Sequence, residues 1–191
     1  WARPTDPRFI IGVLGTLNET TPIAPLLRVL DQLRRERLSL YERVVVRQVG
    51  DADPDWLNAE IEQYRMRDRF EFYGWQPRRT MVGILSEASL LYVGVGSAAD
   101  RGLTTGRIFT MISSGRPILA CAPPGSELRQ IMDTVGNGMT YFDPAYGPAV
   151  TYVADLIAAH GERQVLVTPH PLYARPYGSR RMAEQFAAIL N

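Results

Sequence analysis

The sequence is poor in the side chains that build metal, disulfide and redox sites. Its 191 residues include a single cysteine, Cys121, which excludes an internal disulfide and any metal site made of several cysteines. With only two histidines, His160 and His170, an imidazole-rich metal site or a Cys–His dyad is poorly supported. We therefore expect neither a bound metal ion nor a resident cofactor.

The sequence also lacks a large excess of charge of either sign, and it lacks long apolar runs. The 21 basic and 20 acidic side chains leave a net charge of +1, which argues against sequence-independent binding to nucleic acid. No apolar run approaches the roughly 20 residues that a membrane-spanning helix needs. The hydrophobic fraction of 46% argues against disorder, and the length fits one domain. We expect a cytoplasmic globular domain with no nucleic-acid partner and no membrane span in this segment.

The first residues are typical of a linker. Residues 1–7 (WARPTDP) contain neither an initiator methionine nor a signal-peptide pattern. We predict an interdomain linker remnant over residues 1–8 and one domain over residues 9–191. On this hypothesis the chain is the carboxyl-terminal half of a longer protein.

Short apolar runs alternate with amphipathic helical stretches along the chain. Strands are predicted at Phe9–Leu14, Val44–Gly50, Phe70–Gly74, Leu90–Val95, Pro117–Cys121 and Met139–Phe142. Helices are predicted to begin after Thr21 as N-cap and at Asp53-Pro54, and to cover Arg78–Leu85, Arg107–Ser114, Ser126–Val135, Ala149–Ala159 and Ser179–Leu190. Strands separated by such helices imply right-handed βαβ units and a parallel sheet covered on both faces. The sequence therefore predicts a doubly wound, Rossmann-like α/β domain of about six strands.

Glycines mark the places where a ligand would approach such a sheet. Open α/β sheets bind ligands at the carboxyl ends of their strands, where the strand order reverses. Gly15, Gly50, Gly74 and Gly94 each stand where a predicted strand stops. Glycine allows a positive φ and close approach of a ligand to the backbone, although glycine also ends many strands for structural reasons alone.

The loop Gly94–Gly106 is the strongest local signal. It is longer than the usual βα connection of about 2–6 residues, it is rich in small residues, and it leads into a helix. Free amides and the helix dipole make such a place an anion site, suited to a diphosphate. Thr104 and Thr105 add hydroxyl donors, and Arg107 adds a fixed positive charge in the first helical turn. The alternative is a surface arginine beside an ordinary N-cap threonine.

Neither common phosphate fingerprint is present. Residues 12–15 lack the spacing of a G-x-G-x-x-G turn, and no G-x-x-x-x-G-K-[ST] occurs. Without that turn, Asp51 after the second strand is weak support for a ribose site. A hydride-transfer enzyme and a P-loop NTPase are both disfavoured.

Four segments resemble, in order and spacing, motifs of the GT-B glycosyltransferases. Residues 105–120 (TGRIFTMISSGRPILA) resemble the family's P-x-K-x-[FY]-E-Y-[LM]-A-x-G-x-P-[IV]-[LI]-A. Residues 12–17 (GVLGTL) resemble its Y-x-G-x-L strand, and residues 72–77 (FYGWQP) resemble F-x-G-x-v-p. Residues 86–92 (SEASLLY) are similar to l-x-x-A-D-h-x-l. Together the segments extend the resemblance over nearly the whole chain.

The resemblance implies the carboxyl-terminal, donor-binding domain of a two-domain, family-4-like glycosyltransferase. Its donor is a nucleoside-diphosphate sugar, gripped in a cleft that faces a missing amino-terminal acceptor domain; many relatives attach to membranes through that half. By position, Gly15 and Thr16 line the diphosphate, Gly74 and Trp75 contact the nucleobase, and Arg107 replaces the family's lysine as the catalytic cation. The predicted donor site also includes Thr104, Thr105, Gly106 and Thr110.

Some positions depart from the family pattern. Thr110 stands where the family's acidic residue contacts the donor, and Asp100 is the nearest carboxylate to a second acidic position in the loop. The first loop lacks the basic residues of many relatives, for which Arg101 is a candidate substitute. Trp75 has an alternative role as a cap on the core. Arg47, inside an apolar strand, is predicted to be paired structurally rather than catalytic.

The chemistry implied is glycosyl transfer through an oxocarbenium-like state. Oriented amides, a helix N-terminus and Arg107 would stabilise the leaving diphosphate, and the isolated segment is expected to turn over nothing. A degenerate glycosyltransferase-like binding or scaffold domain is the main alternative, because of Thr110. A nucleotide-sugar epimerase of this architecture would need more carboxylates and histidines at the strand ends. A receiver-like module would need acidic residues after the first strand.

Overall fold

The computed structural model describes residues 4–97, 99, 102 and 106–161. These residues form strands β1 Phe9–Leu14, β2 Val44–Val49, β3 Phe70–Phe72, β4 Leu90–Gly94, β5 Ile118–Cys121 and β6 Gly138–Tyr141. Their α-helices are α1 Ala24–Glu36, α2 Leu38–Tyr41, α3 Pro54–Gln63, α4 Arg78–Leu85, α5 Arg107–Ser114, α6 Glu127–Val135 and α7 Gly147–Gly161. The predicted helix Ser179–Leu190 lies outside the described residues.

The six strands form one sheet in the order β3-β2-β1-β4-β5-β6. Every neighbouring pair is parallel. The chain builds outward from β1 to β3 and then crosses back to place β4 on the other side of β1. This confirms the predicted doubly wound, Rossmann-like α/β fold and puts the reversal of strand order between β1 and β4.

Two apolar layers pack on opposite faces of the sheet. In β1, Phe9, Ile11 and Val13 face one layer, whereas Ile10 and Leu14 face the other, as the two-residue period of a strand requires. The first layer contains residues of α1, α3 and α7, and the second contains residues of α4, α5 and α6. Because β1 is buried along its whole length, the loop that follows it projects from a rigid base.

Side-chain caps and a left-handed glycine define the ends of several helices. Ser126 caps α6 through a hydrogen bond from the Arg129 amide, and Gly136 ends that helix in the left-handed conformation. The prediction that Thr21 caps α1 is wrong, because the N-cap is Ile23 and it makes no side-chain capping bond. The Thr21 hydroxyl instead donates to the Thr16 carbonyl at 2.7 Å, closing the loop after β1.

Asp53 caps the N-terminus of α3. Its Oδ1 accepts from the amides of Asp55 and Trp56, both at 2.9 Å. We expect Asp53→Ala to lower the free energy of unfolding by about 1 kcal/mol in urea titrations, because two helix amides lose their acceptor. Asp53→Asn keeps an acceptor oxygen and should retain most of the stability. Equal losses in the two variants would contradict this account of the cap.

Candidate functional site

Three glycines form a continuous row at the carboxyl edge of the sheet. Gly15, Gly50 and Gly74 follow β1, β2 and β3 with φ angles of +88°, +144° and +60°. The Gly50 amide donates to the Gly74 carbonyl at 2.9 Å, and the Gly15 amide donates to Val49 at 2.8 Å. A Cβ on Gly50 would lie 2.5 Å from the Gly15 carbonyl group. The turns at Gly15 and Gly50 therefore lie closer together than a side chain at position 50 would permit.

Arg107 reaches this row from the first turn of α5. Its Nη1 donates to the carbonyl of Leu14 at 2.7 Å and to that of Thr16 at 3.0 Å. The guanidinium lies against Gly15, where a Cβ would be 2.9 Å from Arg107 Cζ. Burial lowers the pKa of Arg107, but an arginine remains charged. The structure thus brings three predicted site residues together at the reversal of strand order.

The remaining donors of Arg107 are free within the described part of the chain. Its Nε and Nη2 make no hydrogen bond there, so a cationic fork remains beside Gly15 and Thr16. The chain contains no lysine, so a permanently charged basic side chain at this place has to be an arginine. A guanidinium presents several donors in one plane and suits phosphate oxygens better than a single ammonium does.

The loops after β1 and β4 are tied to each other. The Gly96 amide donates to the Thr20 carbonyl at 3.0 Å. The hydroxyl of Tyr92, a fully buried residue of β4, donates to the Pro22 carbonyl at 3.0 Å. The two walls of the crevice at the reversal of strand order are therefore held at a fixed separation.

Trp75 projects from the end of the glycine row. It is 77% exposed, so the alternative role as a cap on the core is wrong. Trp75 stands in a turn from Tyr73 to Gln76, which is closed by a hydrogen bond from Gln76 Nε2 to the Tyr73 carbonyl at 2.7 Å. An exposed indole beside Gly74 offers a flat apolar surface at the carboxyl edge of the sheet.

The structure describes some of the other predicted site residues and not the rest. Gly106 is exposed just before α5, and Thr110 is half-buried one turn after Arg107. Thr104 and Thr105 lie outside the described residues, as do Asp100 and Arg101, so their roles stay predictions.

A cavity of about 390 Å³ opens beside Gly50 and Gly74, at the carboxyl ends of β2 and β3. Phe72 lines it, and the guanidinium of Arg67 lies 4.7 Å from the centre of the Phe72 ring. Sequence reasoning missed Arg67, because nothing in its spacing sets it apart from the other surface arginines.

The segment predicted as a linker is fastened to the domain from Thr5 onward. Asp6 accepts from Arg8 and from Arg47, each pair at 2.9 Å, and Arg47 also donates to Glu71 at 2.7 Å. The hydrogen bond from Arg8 is the main cause that lowers the pKa of Asp6 to about 2. Although burial opposes it, pairing with Arg47 and Arg8 also lowers the pKa of Glu71. The structure confirms that Arg47 is paired structurally.

Within residues 4–161, the described part contains no group of three or more histidine, cysteine or acidic side chains able to hold a metal ion. No helix among the described residues combines the length and the apolar character needed to cross a bilayer.

This chain is similar in fold to several solved structures. No family model and no curated protein sequence matches this chain. TarM of S. aureus, in a complex that contains UDP, superposes with a TM-score of 0.65 at 14% identity, covering 100% of this chain and 37% of TarM. The pneumococcal O-GlcNAc transferase GtfA, in complex with UDP and GlcNAc, gives a TM-score of 0.62 at 13% identity, covering 98% of this chain and 37% of GtfA.

A third solved structure matches this chain along most of both lengths. It is the C-terminal domain of LpcC, a group 1 glycosyl transferase family protein of Francisella tularensis. The TM-score is 0.54 at 14% identity, and 84% of this chain and 85% of that domain are covered. The chain therefore has the fold of the carboxyl-terminal domain of GT-B glycosyltransferases. It spans little more than a third of the length of TarM and GtfA.

Proposed function

We propose that this chain is the donor-binding domain of a glycosyltransferase and binds the nucleoside diphosphate of a sugar nucleotide in the crevice between β1 and β4. The observation that carries the proposal is the Arg107 guanidinium seated against Gly15 and Thr16, where the strand order reverses. Open α/β sheets bind ligands at that place. The similarity to two glycosyltransferases solved with UDP supports the same ligand class.

Each part of the ligand has a matching surface in this proposal. The diphosphate lies at the N-terminus of α5, facing the free donors of Arg107 and the backbone of Gly15 and Thr16. Thr104 and Thr105 add hydroxyl donors from the preceding loop. The nucleobase lies along Gly74 and stacks on the exposed ring of Trp75.

Catalysis then depends on charge stabilisation in the leaving group. As the bond between the sugar and the diphosphate breaks, negative charge grows on the phosphate oxygen that departs. Arg107 and the amides at the start of α5 are fixed before the reaction and stabilise that charge without reorganisation. A separate domain binds the acceptor, whose nucleophilic group attacks the sugar as the diphosphate leaves, so this chain alone binds donor and does not transfer sugar.

Calorimetric titration with UDP, GDP and ADP tests the proposal. We expect at least one nucleoside diphosphate to bind, and the matching monophosphate to bind more weakly because it lacks the second phosphate. In ¹H–¹⁵N spectra, the amides of Gly15, Thr16 and Gly74 should shift on binding, whereas amides of α2 should not. Absence of binding by all three diphosphates would refute the proposal.

That negative result would favour the second candidate, a glycosyltransferase-like domain kept for protein contacts. Thr110 is the observation in its favour, because a hydroxyl replaces the carboxylate that the resemblance implies for donor contact. Under this alternative the crevice has no nucleotide affinity. The titration separates the two functions directly.

A further inference from the structure

The segment that precedes β1 is bound to the domain by both its backbone and its side chains. We name residues 5–8 the leading segment. The amides of Thr5 and Asp6 both donate to Oε2 of Glu87, at 2.6 and 3.0 Å. The Asp6 carboxylate accepts from Arg8 and Arg47. A linker without a fixed conformation would make no such set of contacts.

A hydrogen-bonded path runs from this segment to the turn that holds Trp75. Arg47 donates to Asp6 through Nη2 at 2.9 Å and to Glu71 through Nε at 2.7 Å. The same Glu71 oxygen accepts from the Tyr73 hydroxyl at 3.2 Å. The Tyr73 carbonyl in turn accepts from Gln76 at 2.7 Å, across the turn. The path thus reaches the residues on both sides of the exposed indole.

The leading segment also contacts both ends of the unit that carries this turn. Glu71 lies in β3, before the turn, and accepts from Arg8 at 2.8 Å. Glu87 follows the C-terminal end of α4, after the turn, and accepts from the leading-segment amides. A displacement of the leading segment therefore acts on β3 and α4 together.

Burial gives these contacts their strength. The Arg47 side chain is only 11% exposed, so its charge depends on Asp6 and Glu71 for compensation. Loss of one partner from a largely buried ion pair leaves the remaining charge poorly satisfied, so we expect the neighbouring groups to rearrange. Charge-assisted bonds in such a network are stronger and more directional than neutral ones.

We propose that Arg47 and Glu71 are positioning residues that couple the leading segment to the Tyr73–Gln76 turn, so that the placement of residues 5–8 sets the affinity of the crevice for its nucleotide. The ligand part of this inference rests on the proposed function. In a two-domain enzyme, movement of whatever precedes residue 5 would then be felt at the nucleobase contact. Neither residue touches the nucleotide itself.

The test compares Asp6→Asn and Glu71→Gln with Asp68→Asn in the whole chain. Asp68 also forms an ion pair, with Arg69, but lies outside the path. The reporters are the indole resonances of Trp75 and Trp56 in ¹H–¹⁵N spectra, the hydrogen exchange of the Thr5 and Asp6 amides, and the affinity for UDP.

We expect both path variants to move the Trp75 indole resonance and leave that of Trp56 in place. Amide exchange in the leading segment should accelerate about tenfold in Asp6→Asn, because a charge-assisted hydrogen bond is lost. The affinity for UDP should fall about fivefold or more, the usual size of coupling between two sites. The control variant should change none of the three.

Asp6→Asn is the decisive variant, because it leaves the Arg47–Glu71 pair intact and does not endanger folding. An unchanged Trp75 resonance and UDP affinity in that variant, with faster exchange at Thr5, would show a purely local fastening and overturn the proposal. If the unaltered chain binds none of UDP, GDP and ADP, the proposed function fails. The Trp75 resonance then still decides whether the leading segment and the turn are coupled.

Discussion

Replacing Gly50 by alanine is expected to cost about 2–5 kcal/mol in the free energy of unfolding and to abolish nucleotide binding. A Cβ at this position would lie 2.5 Å from the Gly15 carbonyl group, and that neighbour is backbone rather than a flexible side chain. The φ of +144° adds backbone strain for any residue other than glycine. Relieving the clash requires the backbone at Gly15 or Gly50 to shift, which disturbs the turn that Arg107 contacts.

Gly83→Ala is the matched control. A Cβ on Gly83 meets open space in the last turn of α4, so this change should stabilise the chain by about 0.5–1 kcal/mol. Urea unfolding measures both variants, and titration with UDP measures binding. A Gly50 variant with unaltered stability and affinity would mean that the close approach of Gly50 to the Gly15 backbone matters neither for folding nor for binding.

Removing the charge of Arg107 is expected to weaken UDP binding by about 10- to 100-fold, as for loss of hydrogen bonds to a charged group. Arg107→Gln has no charge to offer the diphosphate. It also removes the guanidinium hydrogen bonds to the carbonyls of Leu14 and Thr16. The loss should be much smaller for UMP, which has one phosphate. Comparing the two ligands therefore separates the electrostatic effect from a general disturbance of the loop.

Two further variants complete this test. Arg107→Lys keeps the positive charge and should recover part of the preference for UDP over UMP. Arg37→Ala removes an exposed arginine at the C-terminal end of α1, on the opposite edge of the sheet, and should leave both affinities unchanged. Equal weakening of UDP and UMP by Arg107→Gln would count against a diphosphate contact.

The order of elements was predictable because buried parallel strands are continuous apolar runs. The limits of β3 were not, since among residues 4–161 this edge strand is seen to pair only with β2, and it ends at Phe72, before the turn at Gly74. Helix α2 was missed because four residues carry no helical period, and its first residue, Leu38, is exposed. Thr21 had the composition of a cap, but the loop after β1 uses its hydroxyl.

The site was predictable in its components and not in its contacts. Small residues before a helix marked Arg107 as a candidate cation. Its bonds to Leu14 and Thr16 depend on α5 reaching across to β1, which follows from the strand order and not from local spacing. The leading segment is a similar case, since Asp6 and Arg47 stand 41 positions apart in sequence and meet only in the folded sheet.

The position of β1 at the centre of the sheet also has a consequence for folding. The half from β1 to β3 pairs strands that follow one another along the chain, so it can collapse early. β4 has to return past two strands to reach β1, and closing that longer loop costs more chain entropy. We therefore expect the first three strands to assemble before β4 pairs with β1, and the crevice to form late.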